Sequence, residues 1–356
     1  MPLKRLHLKN FRLFEDKIFT FSEGINLILG ENGSGKTSIL ESLSILLTGN
    51  SFREKETKEC INLKKDFYNI SGKGVLDRKN LSIVIENSHN KRLSSKRKLG
   101  DTPVKKEDLY FLQVVLAKNL KMIEGEPDLR REFFNDLMFH VKPDTKKIHN
   151  RYHKALKQRN RCLKNKLSEL EISPWSKEVS AIGLELSLEQ YNFFKVFKDN
   201  TKYSIKKNIS NGSFHYLDQL DLAFSKGWER TKKLEESLLE SLDRDMALGY
   251  TSKGPHRMDF TFNVKRRKAS SNLSRGQLKI LILLVFLSSS RLLKELIETE
   301  ILLMIDDLGS ELDQRNLTSI LKVILESEDQ IILTGIEGEE MHKSVKKLTN
   351  FTQINL

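Results

Sequence analysis

The sequence predicts an α/β domain assembled from both ends of the chain, with a helical domain inserted between the two halves. Three observations carry that reading. Near the start, the glycine-rich octapeptide at residues 30–37 joins an apolar run to a helix-like repeat. Near the end, an apolar pentapeptide at residues 301–305 runs into Asp306-Asp307. Between residues 116 and 248 the alternating pattern gives way to helical spacing, broken at Pro127, Pro143, Pro174 and Asn211-Gly212.

Taken in order, Leu6 and Leu8 alternate with polar neighbours, Phe19 and Phe21 do the same, and residues 25–29 are mostly apolar, which predicts three short strands. Ile39, Leu40, Leu43, Leu46 and Leu47 fall at helical spacing and predict a helix over 37–47. Strand patterning returns over 69–115, where segments 81–86 and 91–99 flank a polar turn at Asn87-Ser88-His89-Asn90. After the helical stretch, residues 249–264 are extended again and 278–287 are apolar all round, as a buried helix must be. A buried strand at 301–305, a helix at 314–325 and a strand at 330–333 follow. The expected domains are 1–118 with 249–356, and 119–248 between them. No heptad run is long enough for an extended coiled coil.

With 356 residues, two cores fit, and 38% hydrophobic against 31% charged residues exclude both a disordered chain and a fibrous repeat. The net charge of +13 and a pI near 9.4 favour a polyanionic partner. Cys60 and Cys162 show no CxxC spacing, so neither a disulfide framework nor a thiolate zinc site is expected. Met1-Pro2-Leu3-Lys4-Arg5-Leu6 lacks a signal-peptide core, and the longest apolar run, 280–287, is far short of the ~18 residues that span a bilayer. A cytoplasmic protein is expected.

Gly30-Glu31-Asn32-Gly33-Ser34-Gly35-Lys36-Thr37 satisfies G-x-x-x-x-G-K-[ST] in the strand–loop–helix setting that the motif requires. Its glycines let successive N–H groups turn toward one anion, Lys36 reaches the β- and γ-phosphates, and Thr37 ligates Mg²⁺. A nucleoside triphosphate site follows, and Ser38 belongs to the same helix start. Such a site needs a carboxylate on a neighbouring strand. Asp306 is the expected second Mg²⁺ ligand, and Asp307 is placed to orient or deprotonate the attacking water. Leu273-Ser274-Arg275-Gly276-Gln277 precedes the buried helix at 278–287 and offers a second anion-binding helix start, though taken alone it is better explained as an N-cap serine before a core helix.

L-S-x-G-Q some thirty residues before an I-D-D strand end is similar to the signature motif of ABC-type ATPases. The whole chain resembles the RecF family of SMC-like heads. The matching segments are Asn10-Phe11-Arg12, residues 30–38, Ser51-Phe52-Arg53, Glu124-Gly125, Arg130-Arg131, Lys157-Gln158-Arg159-Asn160, Gly254-Pro255-His256-Arg257-x-Asp259, residues 273–279, Asp306-Asp307 and Ser310-Glu311-Leu312-Asp313. The resemblance implies an ABC-type P-loop ATPase head without a long coiled coil, using ATP and Mg²⁺. It also implies a homodimer in which Ser274 and Gly276 of one copy grip the γ-phosphate held by the other. Gln113 looks like the family's Q-loop glutamine, touching Mg²⁺ or water. Gln277 joins Asp307, Gln113 and Ser274 in the reacting set, and Asp313 looks like the D-loop aspartate at the dimer seam. Where transporter ATPases carry a histidine after the last core strand, this chain has Thr334-Gly335-Ile336, which sets it apart from a transporter motor.

For function, the resemblance implies an ATP-dependent DNA-binding protein of recombinational repair. It would bind gapped or duplex DNA, help RecO and RecR place RecA, and be released by slow hydrolysis. The alternative is a non-hydrolysing, nucleotide-dependent scaffold for RecO and RecR. Residues 146–166 hold nine Lys/Arg and no acid, with Ile148, Tyr152 and Leu156 on the packing face, which makes Lys154, Lys157 and Arg161 candidate phosphate contacts. Lys96 and Arg97 in the basic stretch 91–106 are further candidates. His256 reads as a hydrogen bonder that stabilises a turn.

Overall fold

The structure, a computed structural model, describes residues 3–356; residues 1 and 2 of the N-terminal stretch, and the side chains of Arg92 and Glu107, lie outside the described part. Strands Leu3–Phe11 (β1), Phe14–Thr20 (β2) and Ile25–Leu29 (β3) precede helix Lys36–Thr48 (α1). Phe67–Leu76 (β4), Lys79–Ser88 (β5), Lys91–Leu99 (β6), Thr102–Pro103 (β7) and Phe111–Val115 (β8) follow. Helices Lys121–Glu124 (α2), Pro127–Val141 (α3), Pro143–Lys164 (α4) and Glu169–Ser210 (α5) lead to strand Leu220–Ser225 (β9) and helices Leu234–Glu240 (α6) and Leu242–Leu248 (α7). Asp259–Val264 (β10), Arg267–Lys268 (β11), Ala269–Asn272 (α8) and Arg275–Ile297 (α9) come next. Ile301–Ile305 (β12), Gln314–Leu325 (α10), Gln330–Gly335 (β13), Glu340–Leu348 (α11) and Thr352–Asn355 (β14) complete the chain.

Two compact units result. The first comprises the residues up to Ala117 together with Glu298–Leu356, and the second is Lys118–Ile297. In the first, an antiparallel sheet runs β2-β1-β4-β5-β6-β7 and a parallel sheet runs β14-β3-β13-β12-β8. Period-two alternation turns Leu6, Leu8, Tyr68, Ile70, Ile83 and Ile85 of the antiparallel sheet inward, where they share one core with α1, Leu302, Met304 and Ile332. Residues 38–47 of α1 are therefore all buried, and α1 starts from Gly35 at φ 104° and ends on Gly49 at φ 81°. β3, β12 and β13 are buried along their whole length, which is why they read as mostly apolar runs.

The second unit departs from the sequence reading in three respects. Residues 249–297, expected with the head, belong to it, and it holds a three-stranded sheet, β11-β10-β9. β9 and β10 pair from Leu220↔Val264 to Ser225↔Asp259, and Phe134, Phe197 and Phe260 form an edge-on aromatic cluster around that pairing. Pro174, expected to break a helix, instead lies inside α5, which has 42 residues and is about 60 Å long. The carbonyl that a residue 174 N–H would meet belongs to Leu170, a largely exposed residue whose backbone water can satisfy. No helix among the described residues is long and apolar enough to cross a membrane.

Three motif segments of the second unit make internal hydrogen bonds. Arg159, fully buried on α4, donates to Asp245 at 2.8 Å, Thr251 Oγ1 at 2.7 Å and Ser176 Oγ at 3.0 Å, while Asn160 Oδ1 accepts from Thr251 N–H. Asp245 also accepts from Ser252 N–H and Ser241 Oγ. His256 accepts from the Tyr152 hydroxyl at Nδ1 and donates from Nε2 to the Thr251 carbonyl, and burial pushes it down to about 4, so it stays neutral. It acts in the turn-stabilising role expected of it. Arg130 grips Asp259 bidentately at 2.7 and 2.8 Å. Because no other cation among the described residues pairs with Asp245, Arg159→Ala should lower the unfolding free energy of this unit by about 3–5 kcal/mol in urea denaturation. Unchanged stability would show that the ion pair is dispensable.

Candidate nucleotide site

The parallel order β3-β13-β12 sets the carboxyl ends of three strands side by side in one unit. The glycine-rich loop leaves β3 and the two aspartates leave β12, with Thr334 of β13 between them. This is the end of a parallel sheet at which ligands bind. Gly33 takes φ 85°, and a Cβ on Gly35 would lie 2.7 Å from the Phe14 ring, so the loop needs both glycines. Lys36 donates from Nζ to the carbonyls of Gly30 at 2.6 Å and Glu31 at 2.9 Å, which holds the ammonium across the loop mouth. Glu31, Asn32 and Gly33 are exposed, Ser34, Gly35 and Thr37 are partly so, and Ser38 is buried.

Asp306 is the fixed point of the site. Its Oδ2 accepts from Thr37 Oγ1 at 3.0 Å and its Oδ1 from Thr334 Oγ1 at 2.6 Å. Thr334, fully buried, accepts in turn from Asp307 N–H at 2.8 Å, so one hydroxyl organises both acids. Asp307 takes the left-handed conformation at φ 51° and its side chain is exposed. Composition and spacing gave no sign of Thr334, whose position drew notice only as a missing histidine. The donor set fits a hard divalent cation: two cis oxygens of an octahedral Mg²⁺ at 2.0–2.1 Å lie about 3 Å apart, as Thr37 Oγ1 and Asp306 Oδ2 do.

Gln113 sits lower in the sheet than the strand ends. It pairs with Leu303 in β8, three residues and about 10 Å along the strand before Asp306, and it is buried. A glutamine inside the strand replaces the expected loop residue, because β8 runs on to Val115 and its carbonyl meets Asp306 N–H. Asp313 caps α10, accepting from Asn316 N–H at 2.8 Å, and that hydrogen bond holds its carboxyl below the usual range. In the second unit, Ser274 N–H donates to Gln277 Oε1 at 3.0 Å and Gln277 N–H to Ser274 Oγ at 3.4 Å. This reciprocal capping box makes Gln277 a positioning residue for the serine. Ser274 is exposed and Gly276 partly so.

The basic candidates divide. Lys154, Lys157 and Arg161 are all exposed on α4, opposite buried Tyr152 and Leu156. Lys96 and Arg97 do not form one patch. Lys96 pairs with Val84 on the outer sheet face, whereas Arg97 pairs with Ile83 on the core side and donates to Ser95 Oγ. Neighbours in a strand face opposite ways.

Comparison with known proteins groups the chain with one family. The RecF/RecN/SMC N-terminal domain family matches residues 2–355. The DNA replication and repair protein RecF of Teredinibacter turnerae is 32% identical over 350 residues, covering 96% of this chain and 90% of that protein. Its namesake in Pseudoalteromonas translucida is 28% identical, covering 99% and 97%. A solved structure of the recombination mediator protein RecF with ATP, in the RecFOR pathway, has a TM-score of 0.80 at 23% identity, covering 95% of this chain and 92% of that one. An Smc head bound to the C-terminal winged-helix domain of ScpA has a TM-score of 0.54 at 14% identity, covering 97% and 92%. The fold is that of an ABC-type head.

Thr334→Val keeps the side-chain shape and removes the hydroxyl that links the two acids. The Mg²⁺ concentration that half-saturates nucleotide binding should rise about tenfold, as expected for one lost hydrogen bond to a charged group. An unchanged Mg²⁺ dependence would leave Thr334 without a role in metal holding.

Proposed function

Because this chain belongs to the RecF family, we propose that it is an ATP-dependent DNA-binding protein of recombinational repair, in which ATP holds two copies together on gapped or duplex DNA. The observation that carries the proposal is the Thr37–Asp306–Thr334 network beside a complete glycine-rich cradle, an arrangement suited to a triphosphate with a divalent cation. The relatives named for DNA replication and repair support the biological role. The solved relative in the RecFOR pathway supports RecO and RecR as partners, and placing RecA is the step that the family resemblance assigns to them.

In this reading residues 30–38 wrap the phosphates and Lys36 moves from the loop carbonyls to the β- and γ-oxygens. Thr37 and Asp306 would hold Mg²⁺, which supplies charge neutralisation between the two terminal phosphates. Asp307, exposed and fixed through its own amide, orients the attacking water and takes its proton. Ser274 and the first N–H groups of α9 receive the γ-phosphate carried by a second copy, with Gln277 holding the serine in place. Two-fold pairing satisfies both copies at once. ATP and ADP then differ by the one group that bridges the pair, and hydrolysis removes it.

Ser274→Arg should leave ATP binding by the single chain nearly unchanged and abolish ATP-driven pairing and turnover. Mixed with Lys36→Ala, it should form a heterodimer with at most one intact composite site, read by sedimentation and phosphate release. Full ATP-driven pairing by Ser274→Arg alone would refute the arrangement. For DNA, Lys154→Glu, Lys157→Glu and Arg161→Glu together should weaken binding similarly across sequences and flatten its salt dependence, with α4 still packed through Tyr152 and Leu156. An unchanged salt slope would make this helix a solvated face.

A further inference from the structure

The outer face of the antiparallel sheet carries a row of cations that the nucleotide site does not use. Register sets Thr20, Arg5, Lys73, Ser82 and Lys98 straight across five strands, β2 to β6. The adjacent row on the same face is Ile18, His7, Ser71, Val84 and Lys96. Arg5, Lys73, Lys96 and Lys98 are exposed, and no carboxylate of the described residues lies within ion-pair distance of any of them. The acids of this face, Asp16 and Glu86, stand in the third row, where Asp16 meets His7 at 2.6 Å and Glu86 accepts from Asn69.

We propose that this face, centred on Arg5, Lys73 and Lys98, is a second contact surface for the phosphate backbone of duplex DNA, separate from α4. Strands lie about 4.8 Å apart, so Arg5 and Lys73 stand one step from each other, Lys98 lies two further on, and the row spans about 15 Å. A duplex carries a negative charge about every 1.7 Å of its axis, so several phosphates face such a row at once. The side chains between the cations are short: Ser71 and Ser82 leave the lysines unobstructed. Neither row contains a phenylalanine, tyrosine or tryptophan, which single-strand platforms use for base stacking and membrane surfaces use for insertion. Backbone contact without base reading is what remains.

The inference rests on the DNA-binding reading above, and its test separates the two. The full chain carrying Arg5→Glu, Lys73→Glu and Lys98→Glu is titrated with a labelled duplex several helical turns long across a salt series. Its control carries the same charge change at Lys64, Lys65 and Lys347. Retained nucleotide binding and an unchanged melting temperature report folding, and the milder Arg5→Gln, Lys73→Gln and Lys98→Gln set gives the same direction should the reversals unfold. The face predicts binding at least about tenfold weaker than the control at low salt, and a log–log salt slope shallower by about 2 to 3, near 0.9 per lost phosphate contact. Affinity and slope equal to the control, while reversal on α4 still weakens binding, would overturn this surface and leave the DNA reading standing. Failure of the unmodified chain to bind duplex would overturn both.

Discussion

One carboxylate ties the nucleotide site together. Asp306 accepts from α1 through Thr37 and from β13 through Thr334, so the helix start, the acid strand and the strand between them share one hydrogen-bonded joint. Of the two contacts the one from Thr334, at 2.6 Å, is tighter than the one from Thr37, at 3.0 Å. The joint keeps the start of α1 in register with the carboxylate at the end of β12. Asp307, an exposed residue, joins the same network through its backbone N–H, which donates to Thr334 Oγ1. Two adjacent aspartates thereby acquire different surroundings: Asp306 accepts through both carboxylate oxygens, and Asp307 donates from its amide.

Much of this was legible in the sequence because the relevant pieces are local. The loop at 30–37, the strand at 301–305 and the helix at 314–325 each announce themselves by spacing within a dozen residues, and the structure reproduces their bounds closely. Thr334 was not legible: a threonine near a strand end has no pattern of its own, and only the sheet order reveals what lies beside it. Gln113 shows the converse. The resemblance assigned it a loop role, while the register of β8 keeps it level with Leu303. The compact units divide elsewhere than the expected domains for a similar reason. Residues 249–264 look like returning head strands, but β10 finds its partner in β9.

Charge patterning was read correctly in sign and incompletely in direction. The basic run on α4 includes Arg159, which turns inward to Asp245, and excludes nothing from its outward face, where Lys154, Lys157 and Arg161 stand. On β6, alternation sends Lys96 outward and Arg97 toward the core. Sequence runs count cations; the fold sorts them. The cross-strand row through Arg5, Lys73 and Lys98 is scattered over more than ninety positions of sequence and becomes a row only through sheet register.

The central claim is that the γ-phosphate is the bridge between two copies. Equilibrium sedimentation of the unmodified protein with Mg²⁺ and a slowly hydrolysed ATP analogue, with Mg²⁺ and ADP, and with no nucleotide tests it most directly. A dimer with the analogue, and a single chain in the other two conditions, is the predicted result. The same mass in all three would contradict the account, because Ser274 would then have no phosphate to receive.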